Sequence, residues 1–260
     1  MTEAQSVGAD RTLPAVRAVL FDLDDTLFDH RHCARTALEA VHQSHDCFRG
    51  IPFDDFAGAH SDLLEQLHTS VMLGHLDVDA ARFERFRRLF LKAGASAADD
   101  VIADATRRYR QSYVESRRSV AGATALLERV HERARVVVVS NNIVDEQRQK
   151  LCQCGLDRFV DALVVSEEVG VAKPDPGIFH EALNRAGCDA AAAVMVGDSW
   201  GADIRGARAV GIRAIWFNPL ALEPPEVAGD VAELRSLEPV ESVLEVIFNR
   251  ANQHGHAHRS

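Results

Sequence analysis

VRAVLFDLDDTLF, residues 16–28, decides how the rest of the chain is read. Its first half, Val16–Phe21, is a short apolar run rich in branched side chains. The polar stretch Asp22–Thr26 follows at once. A run of this kind predicts a buried strand that ends in a functional loop. The pattern recurs. VVVVS at 136–140 runs into Asn141 and Asn142, and DALVVS at 161–166 is followed by acids and Gly170. AVMVGDS at 193–199 ends in Gly197 and Asp198, and RAIWFN at 213–218 stops at Pro219. Helical patterns lie between these runs. Ala123, Leu126, Leu127 and Val130 recur at helical spacing. Ile143–Cys154 is closed by Gly155, and Ala202–Val210 is stopped by Gly211. Another helix opens with Asp175 and Pro176 as cap and first residue and ends at Gly187. The alternation predicts an α/β fold, a Rossmann-like parallel sheet with helices on both faces.

The stretch 29–117 carries no such strand signal. Leu63, Leu64, Leu67 and Val71 share one helical face; so do Phe83, Phe86 and Phe90, and Val101, Ala105 and Tyr109. We expect an all-helical insertion here, with breaks at Gly58, Gly74 and Gly94. The expected division is a core of 14–28 and 118–250, a helical cap of 29–117, and disordered tails at 1–13 and 251–260. The tail histidines His254, His256 and His258 are expected to belong to a frayed end.

The formal net charge is −10, with a pI near 5.6. So acidic a chain is poorly suited to binding a nucleic-acid backbone. The arginines at 107, 108, 110, 117 and 118 read as a solvated helix face. No run has the length of a membrane span, and the first residues lack a secretory pattern. The five cysteines, Cys33, Cys47, Cys152, Cys154 and Cys188, show no metal or disulfide spacing. Reduced thiols and a cytoplasmic protein are expected.

In an open parallel sheet, ligands bind beyond the carboxyl ends of the strands. Those ends hold the unusual polar residues. Asp22 and Asp24, two apart on extended chain, point to the same side. Asp198 and Asp203 add two more carboxylates. Such a cluster calls for a hard cation with oxygen ligands, and Mg²⁺ fits best. Lys173 supplies a further positive charge, and Ser140 a hydroxyl able to hold a phosphoryl oxygen. The set suits a phosphate monoester. A carboxylate attacks phosphorus, and a second acid moves protons while the cations offset charge.

The motifs also resemble a known family. FDLDDTLF at 21–28, VVVVSNN ending at Asn142, AKPDPGIF around Lys173 and VMVGDSWGADIRGA around Asp198 and Asp203 are similar, in order, to the four motifs of haloacid dehalogenase-like hydrolases. The insertion after the first motif is similar to the cap of subfamily I, and the second half resembles phosphatases of the nucleotidase and N-acylneuraminate-phosphate type. The resemblance implies roles. Asp22 is the nucleophile and a Mg²⁺ ligand. Asp24 is the acid/base and binds the metal through its backbone carbonyl. Asp198 is a direct ligand. Ser140, Asn141 and Lys173 hold phosphate, with Lys173 also in the catalytic set. Asp203 orients a metal-bound water or Lys173 from behind, and Thr26 steadies the loop. Asn142 stands where many relatives have glycine, which suggests a left-handed backbone there or a side chain turned to substrate.

The expected partner is a small phosphorylated metabolite, with no nucleic acid and no membrane. A sugar-phosphate mutase also keeps Asp24, so the core motifs leave it open. A haloacid dehalogenase typically lacks Asp24, and a phosphonate hydrolase needs a cap lysine, for which Lys92 alone is present in 29–117. A non-catalytic binding protein would be marked by loss of the nucleophile or metal ligands. Arg31, His32, Arg35, His68, His75 and Arg117 of the insertion read mostly as surface residues, and Trp200 as a pocket wall or as packing between core and cap.

Overall fold

The computed structural model describes residues 15–72 and 75–249, without the side chains of His68, Thr69 and Met72. Both expected tails, with His254, His256 and His258, and the expected break at Gly74 lie outside the described residues. In chain order the elements are β1 (Ala18–Phe21), α1 (His30–Ser44), α2 (Asp46–Arg49), α3 (Phe53–Met72), α4 (Val78–Lys92), α5 (Asp99–Glu115) and α6 (Ala123–His131). There follow β2 (Arg135–Ser140), α7 (Val144–Gln153), β3 (Ala162–Val165), α8 (Ser166–Val169) and α9 (Pro176–Ala186). The chain continues with β4 (Ala193–Gly197), a π-helical turn (Trp200–Ile204), α10 (Arg205–Ala209), β5 (Arg213–Phe217), β6 (Ala232–Leu234) and α11 (Val240–Phe248). The chain divides into two units. One comprises the chain through Thr26, Ala121–Gln147 and everything from Leu156; the other comprises Leu27–Val120 with Arg148–Gly155. The sequence reading kept Arg148–Gly155 in the core.

The first unit is a six-stranded sheet of order β3-β2-β1-β4-β5-β6 in which every neighbouring pair is parallel. Ala18–Phe21 and Val136–Val139 are wholly buried, as expected where helices cover both faces. Ala18, Leu20, Val137 and Val139 pack with Ile178, Phe179 and Ala182 of α9 and with Ile204 and Ala207. The alternate residues face the other way, where α6 packs on β2 and α11 on α6. Register decides where the site falls. Phe21 pairs with both Val138 of β2 and Val196 of β4, so the three strands end nearly level. The backbone N–H of Asp22 still donates to Val196 O (2.9 Å), extending the ladder by one residue. β1 lies where the order of strands reverses, the usual place for a ligand crevice.

The expected helix ends are present at α9: Asp175 accepts from the Gly177 N–H, Pro176 follows, and Gly187 closes the helix at φ +65°. The predicted helix over 202–210 is present at Trp200–Ala209, its first turn π-helical and its second the single turn of α10. β6 was not anticipated. Its three residues, Ala-Glu-Leu, form too short a run to give a periodic signal.

The second unit is all-helical and inserted after β1. Asp29 and Asp77 cap α1 and α4 by accepting from backbone N–H groups. Leu38, Val41, Phe48, Phe56, Leu63, Phe86, Leu89, Phe90, Ile102 and Ala105 form its core. Phe48 packs against Phe56 and Phe90, with ring centroids 4.7 and 4.5 Å away. Two expected faces are corrected: Leu64 drops out of the first, and Ile102 replaces Val101 in the second. Leu64 is 39% exposed beside buried Leu63, and Val101 is 37% exposed beside buried Ile102. Gly58 lies inside α3 and breaks nothing, because the packed faces on either side hold the helix through it. Gly94, at φ +72°, follows the end of α4 as expected.

Candidate active site at the ends of β1, β2 and β4

Lys173 is the hinge of the site. Its buried ammonium donates to Asp22 Oδ1 (2.6 Å), Asp203 Oδ1 (2.7 Å) and Val139 O (2.7 Å), so all three protons are used. Burial works against its charge, but Asp203 and Asp22 prevail and hold it above the ordinary lysine range. Its backbone is gripped as firmly. Asn141 Nδ2 donates to Lys173 O (2.8 Å), and Lys173 N donates to Asn141 Oδ1 (2.7 Å). The Asn141 side chain is therefore engaged at both ends with the lysine backbone.

Asp203 is fully buried, and its second oxygen accepts from the Ser199 N–H (3.0 Å). The π-helical turn carries it directly against Gly197, where a Cβ would lie 2.4 Å from Asp203 Oδ2. Glycine is required there by space alone. Carboxylate oxygens of Asp22, Asp198 and Asp203 come within 4.8 Å of one another. Burial raises the Asp22 carboxyl well above its ordinary range; Lys173 opposes this, while Asp203 and Asp198 reinforce it. Three carboxylates against one ammonium leave an excess of negative charge, and a divalent cation bound through oxygen would remove it. The donor set therefore fits Mg²⁺. Thr26 Oγ1 donates to Asp22 Oδ2 (3.3 Å), and Trp216 Nε1 donates to the backbone carbonyl of Asp198 (2.8 Å).

Asp24 has its own frame. Its Oδ2 accepts from Gln147 Nε2 (2.9 Å) and Asn142 Nδ2 (3.3 Å), and the same Gln147 nitrogen lies 2.5 Å from Ser140 Oγ. Gln147 is fully buried, and its Oε1 has no partner. Asn142 is not left-handed; the positive-φ residues other than glycine among the described residues are Asp25 and Ala221. Its side chain turns to Asp24 and to the Ile143 N–H instead.

The structure thus brings Asp22, Asp24, Thr26, Ser140, Asn141, Lys173, Asp198 and Asp203 to one end of the sheet. Gln147 and Trp216 escaped the sequence reading. Gln147 sits five residues past Asn142 on a polar helix, and a glutamine there carries no sign of burial. Trp200 packs edge-to-face on Trp216 (5.0 Å between rings) within the core of the sheet unit. Among the candidates of the helical unit, Arg35 pairs at the surface with Glu39 and Asp54, and Arg117 donates to Gln153. Arg31 and His75 are exposed and His32 half-buried; the side chain of His68 lies outside the described residues.

Residues 16–211 match the family of haloacid dehalogenase-like hydrolases. The chain belongs to that family. It is 33% identical over 248 residues to the phosphoserine phosphatase of Thermus thermophilus, covering 85% of this chain and 98% of that one. It is 29% identical over 251 residues to the glyceraldehyde 3-phosphate phosphatase of Pyrococcus abyssi, covering 94% and 98%. The HAD-hydrolase YfnB of Bacillus subtilis, solved bound to magnesium, superposes with a TM-score of 0.70 at 27% identity, covering 89% and 100%. This is a capped hydrolase of the family, and its Asp22–Asp198–Asp203 cluster is consistent with metal-dependent aspartyl-phosphate chemistry.

Proposed function

We propose that this hydrolase releases phosphate from a small phosphorylated metabolite through a covalent phosphate on Asp22. The observation that carries the reading is Asp24. It stands two residues after the nucleophile and is held by Gln147 and Asn142, so a proton-carrying group is fixed where a leaving oxygen needs one. Attack of an Asp22 carboxylate oxygen on phosphorus forms one P–O bond and breaks the ester P–O bond. Asp24 gives its proton to the departing alkoxide. It then takes a proton from the water that attacks the aspartyl-phosphate, returning Asp22 and inorganic phosphate. The Gln147 amide suits both states: its NH₂ donates to the carboxylate, and rotation by half a turn lets Oε1 accept from the acid. Lys173 neutralises Asp22 and Asp203. Asn141 positions that lysine, Ser140 offers its hydroxyl to a phosphoryl oxygen, and Asp203 and Thr26 hold the framework. Mg²⁺ held by Asp22, Asp198 and the Asp24 carbonyl would offset the charge on the phosphoryl group.

A small phosphorylated metabolite is supported by the two phosphatases to which the chain is similar. The net charge of −10 argues against a nucleic-acid partner. No helix among the described residues is long and apolar enough to cross a membrane. The five cysteines are free thiols, which supports a cytoplasmic setting.

The test is phosphate release from a panel of phosphate monoesters, with Mg²⁺ and with a chelator, for the native chain and Asp22→Asn. Release that requires both Mg²⁺ and Asp22 is the expected result. Isomerisation of a sugar phosphate without release would replace the reading with a mutase, and inertness toward every ester would overturn it.

A further inference from the structure

The helical unit buries a cation that has no acid paired with it among the described residues. Arg85, on α4, is 7% exposed, makes no hydrogen bond or ion pair among the described residues, and has a buried Nε without an acceptor there. Its neighbours are Tyr109, whose ring lies 5.6 Å from the guanidinium carbon, and His60, 3% exposed on α3. His60 packs between Tyr109 (5.1 Å) and Phe86 (5.8 Å), and its Nε2 also lacks a partner. The half-buried Tyr109 brings a phenol to the same place. Acidic Glu84, next in sequence, is turned away and shared between Arg87 and Arg88.

This arrangement is costly as it stands. A guanidinium does not give up its proton to escape burial, and a buried charge without a counter-charge costs several kcal/mol. Nothing in the packing demands it, because Phe86, Leu89 and Phe90 already hold α4 in the core. Three helices converge on groups that bind oxyanions in other settings: a forked cation and an imidazole nitrogen, each with an unsatisfied buried atom, and a phenol. We propose that the helical unit carries an oxyanion-binding site of its own, with Arg85 as its anchor and Tyr109 and His60 as hydrogen-bond partners, for a carboxylate or a phosphate group. The site lies within one unit and stands or falls independently of the phosphatase reading.

The full chain, labelled with ¹⁵N, is titrated with sodium acetate and separately with sodium phosphate, and the Arg85 Nε–Hε resonance is followed against a chloride control. Arg85→Lys identifies the peak by its loss. A shift saturating in the millimolar range is expected. Acetate acting alone assigns a carboxylate, phosphate acting alone assigns a phosphate, and both acting assigns a general oxyanion site. A resonance unmoved by either anion overturns the proposal. Arg85→Met gives a second reading through thermal unfolding. Without added anion it should be as stable as the native chain or more so. The anion-dependent rise in Tm seen in the native chain should shrink in the variant, any remainder coming from the carboxyl-end site of the sheet. A variant clearly less stable than the native chain in both media would make Arg85 a structural residue and also overturn the proposal.

Discussion

Lys173 and Arg85 are both buried cations, one in each unit, and their surroundings are opposite. Lys173 spends every proton on an acceptor, two of them carboxylates. Arg85 has five N–H donors and no carboxylate partner among the described residues. The first is therefore part of the framework: its charge is what allows Asp22 and Asp203 to be buried together. The second is a charge whose counterpart comes from outside the chain. Burial alone does not identify a functional residue; the partners already present show what remains for a ligand to supply.

The sharpest way to break the comparison is Lys173→Met. It leaves Asp22 and Asp203 buried without their counter-charge, at a cost of about 3–5 kcal/mol. Phosphate release should fall by about 10³-fold or more, since charge stabilisation at the reacting group is lost. Urea unfolding and steady-state kinetics measure the two effects. If Arg85→Met costs as much stability as Lys173→Met, the contrast between the two cations is wrong.

Gly197→Ala tests the carboxylate side of the same framework. The added methyl would meet Asp203 at 2.4–2.6 Å, in a place closed by β4 and the π-helical turn. Overpacking of this kind costs about 1–3 kcal/mol, and the displaced Asp203 would loosen its bond to Lys173. The expected result is a protein that folds, unfolds earlier in urea, and has lost most of its activity. Gln147→Leu should be gentler: Asp24 and Ser140 lose a shared donor while Lys173 keeps all its partners. We expect kcat to drop about 10- to 100-fold with KM nearly unchanged. Gln147→Glu, which sets a carboxylate beside Asp24, should be slower still. Equal losses in kcat/KM and in stability, with kcat itself preserved, would reduce Gln147 to a packing residue.

The sequence made the sheet and the acidic site legible because both depend on short, local patterns. Val136–Val139 can only be a strand covered on both faces, and Asp22 and Asp198 follow their strands directly. The two other kinds of feature were not written locally. Whether Gln147 or Arg85 is buried depends on what packs over it, and both residue types are normally exposed. The helical faces drawn from the sequence include Leu64 beside Leu63 and name Val101 in place of Ile102 for the same reason: an apolar pair leaves the rotation of a helix undecided until its neighbours fix it. Asn141 illustrates a third case. Its position at a strand end was informative, but its two bonds to the Lys173 backbone span thirty-two residues of sequence.

The smallest effect concerns His60, and it bears on the Arg85 side of the comparison. Burial is the main cause that holds the His60 imidazolium well below the ordinary histidine range, with Arg85 and then His30 adding to it. A folded-state pKa below the unfolded one means that the unfolded chain binds the proton first as pH falls. The stabilising contribution of neutral His60 is therefore present above about pH 6.5 and is lost below it, with a limiting slope of about 1.4 kcal/mol per pH unit. His60→Phe removes the titration while keeping a ring between Tyr109 and Phe86. Urea unfolding of both proteins between about pH 7 and 5 should show the variant losing less stability than the native chain. An anion on Arg85 would offset part of the repulsion that holds His60 neutral, so acetate should narrow the gap between the two proteins. Parallel curves in the absence of anion would mean that His60 is protonated in the folded chain, and a protonated His60 beside Arg85 would require an acid that the packing does not contain.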